Sequence, residues 1–156
     1  MESFNQNQFE AATGLKRTFV QDNHSRSVQG VLRGLHYQTQ HAQGKLVRVT
    51  HGSVFDVVVD LRRGSPAFGR HATFLLSSSQ PEQLWIPEGL AHGFLVLSER
   101  AVVSYAVTAP YHPASEQVLR WDDPALAIAW QLDGRQPLLS AKDAAGQSWG
   151  EAPTFS

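Results

Sequence analysis

The stretch VFDVVVDL, residues 54–61, decides the fold class. It is rich in β-branched valine and almost continuously apolar, which is typical of a central strand in a sheet. Turn residues enclose it, because Gly52 and Ser53 precede it and a cluster rich in Gly, Ser and Pro occupies residues 62–69. The run is therefore predicted to be one strand of a larger β structure.

Shorter segments with strand character recur on both sides of this run. They cover residues 31–38, 47–51, 71–76, 83–87, 93–97 and 101–107. Their spacing predicts an all-β sandwich or barrel and argues against alternating β–α units. Helix signals occur only towards the ends of the chain, at residues 5–13, 123–128 and 140–145.

Composition limits the class of protein. The 156 residues suit one domain, and 42% of them are hydrophobic, which is enough for a core. The net charge of -1 gives no reason to expect nucleic acid as a partner. No cysteine, signal peptide or run long enough to span a membrane is found in the sequence. We therefore expect a single domain over residues 1–156 that works in the cytoplasm without a membrane partner.

Two polar side chains that cost free energy to bury lie in the strand-like segment VLRGLHYQ, residues 31–38. Arg33 and His36 are three positions apart, so a regular strand would point them to opposite faces. A bulge or twist near Gly34 would bring both to one face, because glycine permits such geometry. A lone histidine in a strand is more often structural than catalytic, so both interpretations of His36 stay open here.

The segment IPEGLAHGF, residues 86–94, resembles the second signature of the cupins, in which a Pro-Gly turn leads a histidine onto an inward-facing strand. A buried, hydrogen-bonded structural histidine is the alternative for His92. Metal-binding cupins also need two histidines one residue apart and then a glutamate. Here Gln38 follows His36, and no glutamate occurs before Gly52. We therefore predict that no metal is bound.

Two further residues are ambiguous when each is considered alone. Lys45 begins the strand-like segment KLVRV, where a lysine is usually solvated. Tyr105 lies inside the segment AVVSYAV, where a tyrosine usually packs in the core with its hydroxyl bonded. Neither position by itself indicates a function.

Five segments taken together resemble the dTDP-4-dehydrorhamnose 3,5-epimerase family. They are residues 19–25, 30–38, 42–48, 84–98 and 120–124, and the resemblance extends from Glu2 to about Asp143. Five segments in the family's order are more specific than any single one. The resemblance implies a metal-free cupin jelly roll, which is a double-stranded β-helix, with a few short peripheral helices. It also implies a homodimer that needs no cofactor.

The resemblance assigns roles to individual residues. His36 would be the general base, and Asp143 the carboxylate that pairs with it. Tyr105 would be the general acid on the other face of the sugar ring, and Lys45 would lie near the substrate C4 oxygen. The positions that would contact substrate are Glu2, Gln21, Asn23, Arg33, His92, Glu116 and Lys142.

The chain differs from the family pattern at two places. The family usually has further residues before Glu2, which form a strand that pairs across the dimer and supply an arginine to the nucleotide. A misassigned start and a short form with a weakened nucleotide site both stay open. Ala106 follows Tyr105 where the family commonly has lysine. Its side chain should point away from Tyr105, so we expect a small effect.

The implied reaction explains why these residue types are needed. A C4 ketone makes the protons on C3 and C5 acidic, and returning a proton to the opposite face of the enolate inverts the centre. The site needs a base, an acid on the other face and a cation near the oxygen. Histidine has a suitable pKa for the base, and a buried aspartate fixes its tautomer. The planar fork of Arg33 suits a pair of phosphate oxygens.

The resemblance thus implies a 3,5-epimerase that acts on dTDP-4-dehydro-6-deoxy-D-glucose in dTDP-L-rhamnose biosynthesis. Three alternatives stay open. One is a catalytically impaired module that only binds a sugar nucleotide. Another is an epimerase of C3 alone or C5 alone from a related deoxysugar pathway. The third, a metal-dependent cupin enzyme, is disfavoured by the incomplete set of metal ligands.

Overall fold

The computed structural model describes residues 2–156, which form nine strands and two short α-helices. In chain order these are α1 (Gln6–Thr13), β1 (Gln21–Val28), β2 (Leu32–Gln38), β3 (Lys45–His51), β4 (Ser53–Asp60), β5 (His71–Ser77), β6 (Leu84–Ile86), β7 (Leu90–Val96), β8 (Arg100–Val107), β9 (Glu116–Val118) and α2 (Ala141–Ala144). The predicted all-β class with a few short helices is confirmed.

Two antiparallel sheets make up the fold. One has the strand order β1-β8-β3-β6, and the other has the order β5-β4-β7-β2-β9. Most sequence neighbours therefore lie apart in the sheets, as in a sandwich built by crossing connections rather than by simple hairpins. A hydrophobic cluster with members from both sheets fills part of the space between them.

Strand β4 is buried on both faces, which explains its almost continuous apolar sequence. Val54 and Val58 join the cluster between the sheets, together with Val103 of the opposite sheet. Val57, on the other face, belongs to a second cluster, against which C-terminal residues such as Trp130 pack. A strand that is covered on both sides needs apolar residues at successive positions rather than at alternating ones.

Two strands were not predicted from the sequence. β1 has the sequence QDNHSRSV, in which intermediate and exposed residues alternate until the buried Ser27. β9 has only three residues. Neither carries the apolar period on which strand prediction depends. In β1 the inward-facing side chains are polar because they line a cavity, as described below.

The helix predictions were partly correct. α1 begins after Asn5, whose side chain accepts a hydrogen bond from the Gln8 amide, and ends at Gly14 with φ of 69°. α2 begins after Ser140, which caps it in the same way at Asp143. The predicted helices at residues 5–13 and 140–145 are therefore confirmed, within one or two residues at their ends.

The predicted helix at residues 123–128 is wrong. Asp123 caps a single turn, since its Oδ1 accepts from the Ala125 amide at 2.8 Å. Ala127 then adopts φ of 48°, which ends the turn. The chain continues without helix, and Ile128 and Trp130 pack against the core. Packing of these two side chains outweighs the helix propensity of the alanines and leucine before them.

Candidate active site

A cavity of about 350 Å³ opens between the two sheets. Most of the side chains that line it are polar. Nine of the residues predicted to act in a site line this cavity: Gln21, Asn23, Arg33, His36, Lys45, His92, Tyr105, Glu116 and Lys142. They come from β1, β2, β3, β7, β8, β9 and α2. The fold therefore brings together residues that are widely separated in the sequence.

An irregularity at Gly34 lets Arg33 and His36 line the same cavity. The register of β2 against β7 shifts between these two residues, and Gly34 has φ of 116°. A Cβ at this position would lie 2.6 Å from the Gly93 Cα and 2.7 Å from the His92 carbonyl oxygen. Only glycine fits such a close approach. The irregularity near Gly34 that a shared face would require is therefore present.

His36 and Asp143 form a hydrogen-bonded pair at the cavity wall. Their Nε2 and Oδ1 atoms are 2.5 Å apart, and Asp143 is buried. The other carboxylate oxygen accepts from the Ser140 hydroxyl at 2.8 Å. Burial alone would raise the pKa of Asp143, but the hydrogen bond and charge of His36 and the bond from Ser140 hold this pKa below its usual value. The aspartate therefore stays ionised and fixes the imidazole ring.

Lys45 is buried at the cavity, with only 8% of its surface exposed. Burial lowers its pKa from 10.5 to about 8, although the charges of Asp56 and Glu116 act in the opposite direction. This differs from the solvated lysine that is usual at a strand end. An ammonium group held in a cavity is suited to oppose negative charge on a bound molecule.

Tyr105 lines the cavity from the sheet opposite His36. It lies in β8, where it pairs with Asn23 of β1 and Val47 of β3. Burial raises the pKa of Tyr105, and the nearby charge of Arg33 works against this effect. The phenol therefore keeps its proton at neutral pH and is available as a donor.

A charged cluster lies at the edge of the cavity. Lys142 donates to Glu116 Oε1 at 2.9 Å, and the Tyr111 hydroxyl donates to Glu116 Oε2 at 2.8 Å. Burial would raise the pKa of Glu116, but the bonds from Lys142 and Tyr111 keep it below its usual value. The backbone amide of Tyr111 also donates to the Gln21 side chain at 3.0 Å. These contacts join β1, β9 and α2 around one side of the opening.

Glu2 does not line the cavity of its own chain, whereas nine of the other predicted positions do and Asp143 is bonded to one of them. Its carboxylate accepts from the Asn5 side chain at 3.3 Å and is exposed. The segment is anchored elsewhere, because Gln83 donates to the Ser3 carbonyl and Phe4 packs on Phe19, and neither partner lines the cavity. A contact between Glu2 and a molecule in this cavity is therefore not supported by its position.

Neither a metal site nor a membrane span is found in the described residues. Over residues 2–156, no three histidine, cysteine, aspartate or glutamate side chains form a group able to hold a metal ion. In the same range, no helix has the length and apolar character needed to cross a membrane.

Comparison with known proteins identifies the family. A family model described as dTDP-4-dehydrorhamnose 3,5-epimerase matches residues 1–151. The chain belongs to this epimerase family. The resemblance that was inferred from five sequence segments is thus confirmed.

Relatives of the epimerase family are close in sequence and structure. The dTDP-4-dehydrorhamnose 3,5-epimerase of Neisseria gonorrhoeae is 60% identical over 136 residues, which cover 87% of this chain but 41% of the longer relative. The Pseudomonas aeruginosa enzyme of the same name is 55% identical over 154 residues, covering 99% of this chain and 84% of the relative. The crystal structure of dTDP-6-deoxy-D-glucose-3,5-epimerase from Legionella pneumophila, in complex with dTDP-4-keto-L-rhamnose, has a TM-score of 0.93 and 52% identity. That match covers 97% of this chain and 80% of the other, and it confirms the cupin-type fold.

Two features of the epimerase cavity were missed by sequence reasoning. Asp56 is fully buried and bonds His92 Nε2 at 2.8 Å, while its Oδ1 has no partner among the described residues. A signal existed, because Asp56 interrupts the apolar run VFDVVVDL and a buried carboxylate requires a partner. Tyr111 gave no such signal, since it lies in an irregular segment after β8.

Proposed function

We propose that this chain inverts C3 and C5 of dTDP-4-dehydro-6-deoxy-D-glucose, in the biosynthesis of dTDP-L-rhamnose. Membership of the epimerase family supports the reaction class. The observation that carries the proposal is that His36 and Tyr105 line one cavity from opposite sheets. Inversion of a carbon centre requires a base on one face and an acid on the other, which two opposed walls can supply.

In this proposal His36 is the base. Asp143 holds Nε2, so the other ring nitrogen is left to accept a proton from C3 or C5. A buried carboxylate at the far nitrogen stabilises the imidazolium that forms after proton transfer. The C4 ketone is needed for this step, because it delocalises the electron pair that the departing proton leaves behind.

Lys45 and Tyr105 complete the cycle. The Lys45 ammonium opposes negative charge on the C4 oxygen as the enolate forms. This attraction is strong because Lys45 is buried, where water screens charges less. Tyr105 then delivers a proton to the opposite face of the ring. Exchange with solvent restores both groups, because Tyr105 takes up a proton and the His36 imidazolium releases one. A phenol is a weak acid, but an enolate carbon is basic enough to accept its proton.

The remaining polar residues of the cavity would bind the nucleotide part of the substrate. The guanidinium of Arg33 suits the diphosphate, and the amide groups of Gln21 and Asn23 line the same cavity from the opposite sheet. His92, Glu116 and Lys142 are proposed as further substrate contacts. We also propose that the enzyme is a homodimer in the cytoplasm and that Glu2 contacts substrate across the dimer interface.

The proposal is tested by incubation with dTDP-4-dehydro-6-deoxy-D-glucose in deuterated water, with label at C3 and C5 read by NMR. A 3,5-epimerase is expected to incorporate deuterium at both carbons and to form the inverted product. Label at a single carbon would identify an epimerase of C3 alone or C5 alone. Binding of dTDP without any label would instead identify a binding module.

A metal requirement is tested in the same assay. The purified protein is treated with a chelator, its metal content is measured, and the rate of label incorporation is compared before and after treatment. The proposal expects an unchanged rate. A rate that collapses and returns with one added divalent metal would show a metal-dependent enzyme instead.

A further inference from the structure

Arg33 is hydrogen-bonded to the opposite sheet through a serine that has no assigned role. Its Nε donates to the Ser27 hydroxyl at 3.0 Å. Arg33 lies in β2 of the five-stranded sheet, and Ser27 lies in β1 of the four-stranded sheet. This hydrogen bond therefore links the two sheets beside the cavity.

Ser27 is placed to act on Arg33 rather than on a bound molecule. Only 6% of its surface is exposed, and it does not line the cavity, whereas Arg33 does. A buried hydroxyl needs a partner, and the arginine supplies one. Over residues 2–156 the Arg33 side chain has no second hydrogen bond and no ion pair with the protein, so its two terminal nitrogens are left for a ligand.

This arrangement orients the planar guanidinium. The five N–H groups of arginine have a fixed geometry, so fixing Nε also restricts where the terminal nitrogens point. A long side chain that is already ordered loses less freedom when its ligand binds. The edge formed by the terminal nitrogens is the one that binds two phosphate oxygens at once.

We propose that Ser27 is a positioning residue, whose hydroxyl holds the Arg33 guanidinium ready for the diphosphate of a nucleotide sugar. This inference rests on the function proposed above and adds to it one residue that acts through another. It separates binding from chemistry, since the Ser27 hydroxyl bonds to Arg33 and to neither His36 nor Tyr105. Its loss should therefore weaken nucleotide binding and leave proton transfer at the sugar intact.

The test measures dTDP binding by calorimetry, together with KM and kcat for the nucleotide sugar. Ser27→Ala is expected to weaken dTDP binding and raise KM by roughly tenfold, with kcat changed less than about twofold. Ser27→Thr keeps a hydroxyl and should restore most of the affinity. Thr154→Ala is the matched control, because it removes a similar bond from Arg63 Nε to a threonine hydroxyl, 2.7 Å long, outside the cavity.

A double-mutant cycle decides whether Ser27 acts through Arg33. In an Arg33→Ala background, Ser27→Ala should change dTDP affinity less than about twofold, since there is no guanidinium left to hold. An unchanged tenfold loss in that background would overturn the proposal. So would a fall in kcat with KM unaltered. If Ser27→Ala does not fold, Ser27→Cys is used in the same cycle, because a thiol fills the space but accepts hydrogen bonds weakly.

The same series separates this inference from the function on which it rests. If the wild-type chain neither binds dTDP nor turns over the nucleotide sugar, the proposed function fails. If the wild type does both and Ser27→Ala matches it, only the positioning role of Ser27 fails.

Discussion

His36 Nε2 and Asp143 Oδ1 lie 2.5 Å apart, although the two residues are separated by 107 positions in the sequence. The pair joins β2 to α2. Ser140 has two functions in this contact, since its hydroxyl caps the amide of Asp143 and also donates to the Asp143 carboxylate. The helix start and the orientation of the proposed base are therefore set by one group of contacts.

The charge of Asp143 should be needed for turnover more than for folding. Asp143→Asn keeps the size of the side chain but removes the charge that stabilises an imidazolium, so kcat is expected to fall roughly 10²–10⁴-fold. His36→Ala should abolish turnover while the fold stays intact. Rates are measured by product formation, and folding by circular dichroism. Asp133→Asn is the matched control, because the Asp133 side chain is 81% exposed. A near-native rate in Asp143→Asn would remove the Asp143 charge from the mechanism.

Loss of the Tyr105 hydroxyl should separate the two halves of the reaction. In Tyr105→Phe, His36 can still remove a proton, but no acid remains on the opposite face to complete inversion. We expect product formation to fall far more than exchange of the C3 or C5 hydrogen with deuterated solvent. Both rates are read from one NMR time course, and His36→Ala serves as the comparison that loses both. Equal losses of exchange and inversion in Tyr105→Phe would contradict the role as acid.

The buried ammonium of Lys45 predicts a particular dependence of activity on pH. Because burial lowers its pKa to about 8, the folded protein loses this charge near pH 8, well below the usual lysine range. We expect kcat/KM to fall as the pH rises through about 8. Lys45→Met should be slow at every pH and lack this alkaline decline. A wild-type rate that stays constant to pH 10 would remove the Lys45 charge from the mechanism.

The same pKa change predicts how stability varies with pH. Between pH 8 and 10.5 the unfolded chain holds a proton on Lys45 that the folded chain has released, so wild-type stability rises with pH in this window. Relative to Lys45→Met, the wild type should gain about 3 kcal/mol of unfolding free energy from pH 8 to 10.5. Lys16→Met is the control, because it removes an exposed lysine from the same chain. Urea denaturation at several pH values measures both differences.

Sequence reasoning succeeded where a physical conflict was visible in one short segment. Arg33 and His36 could not share a face of a regular strand, and Gly34 between them was the residue able to relax the conflict. The structure has the irregularity at that position. The pairing of His36 with Asp143 could not be obtained from spacing, because it depends on how the chain returns after β9. It was inferred from the family resemblance alone.

The unpredicted strand β1 and the wrongly predicted helix at residues 123–128 have a common cause. Strand prediction depends on apolar periodicity, and β1 lacks it because its inward side chains line a polar cavity. At residues 123–128 local propensity favoured a helix, but Ile128 and Trp130 pack into the core only after the chain leaves its turn. In both cases the deciding interaction is with a distant part of the chain, which a short window of sequence does not contain.

Gly34 should tolerate no side chain, because both its surroundings and its backbone conformation require glycine. An alanine there would place its Cβ 2.6 Å from Gly93 Cα, a contact with backbone that no side-chain rotation relieves. The φ of 116° is also a conformation that L-residues rarely adopt. Gly34→Ala is expected to lower the unfolding free energy by about 3–5 kcal/mol, which for a chain of this size corresponds to a fall in Tm of roughly 10 °C.

Gly150→Ala is the matched control for this effect, since a Cβ at Gly150 meets nothing within 4 Å and its φ lies outside the strained range. It should change Tm by no more than about 2 °C. If Gly34→Ala still folds at low temperature, β2 must have shifted against β7, and His36 should no longer sit against Asp143. We then expect turnover to be lost even below the new Tm. A Gly34→Ala variant with native stability and native turnover would show that the close contact with β7 is not required for the arrangement of the site.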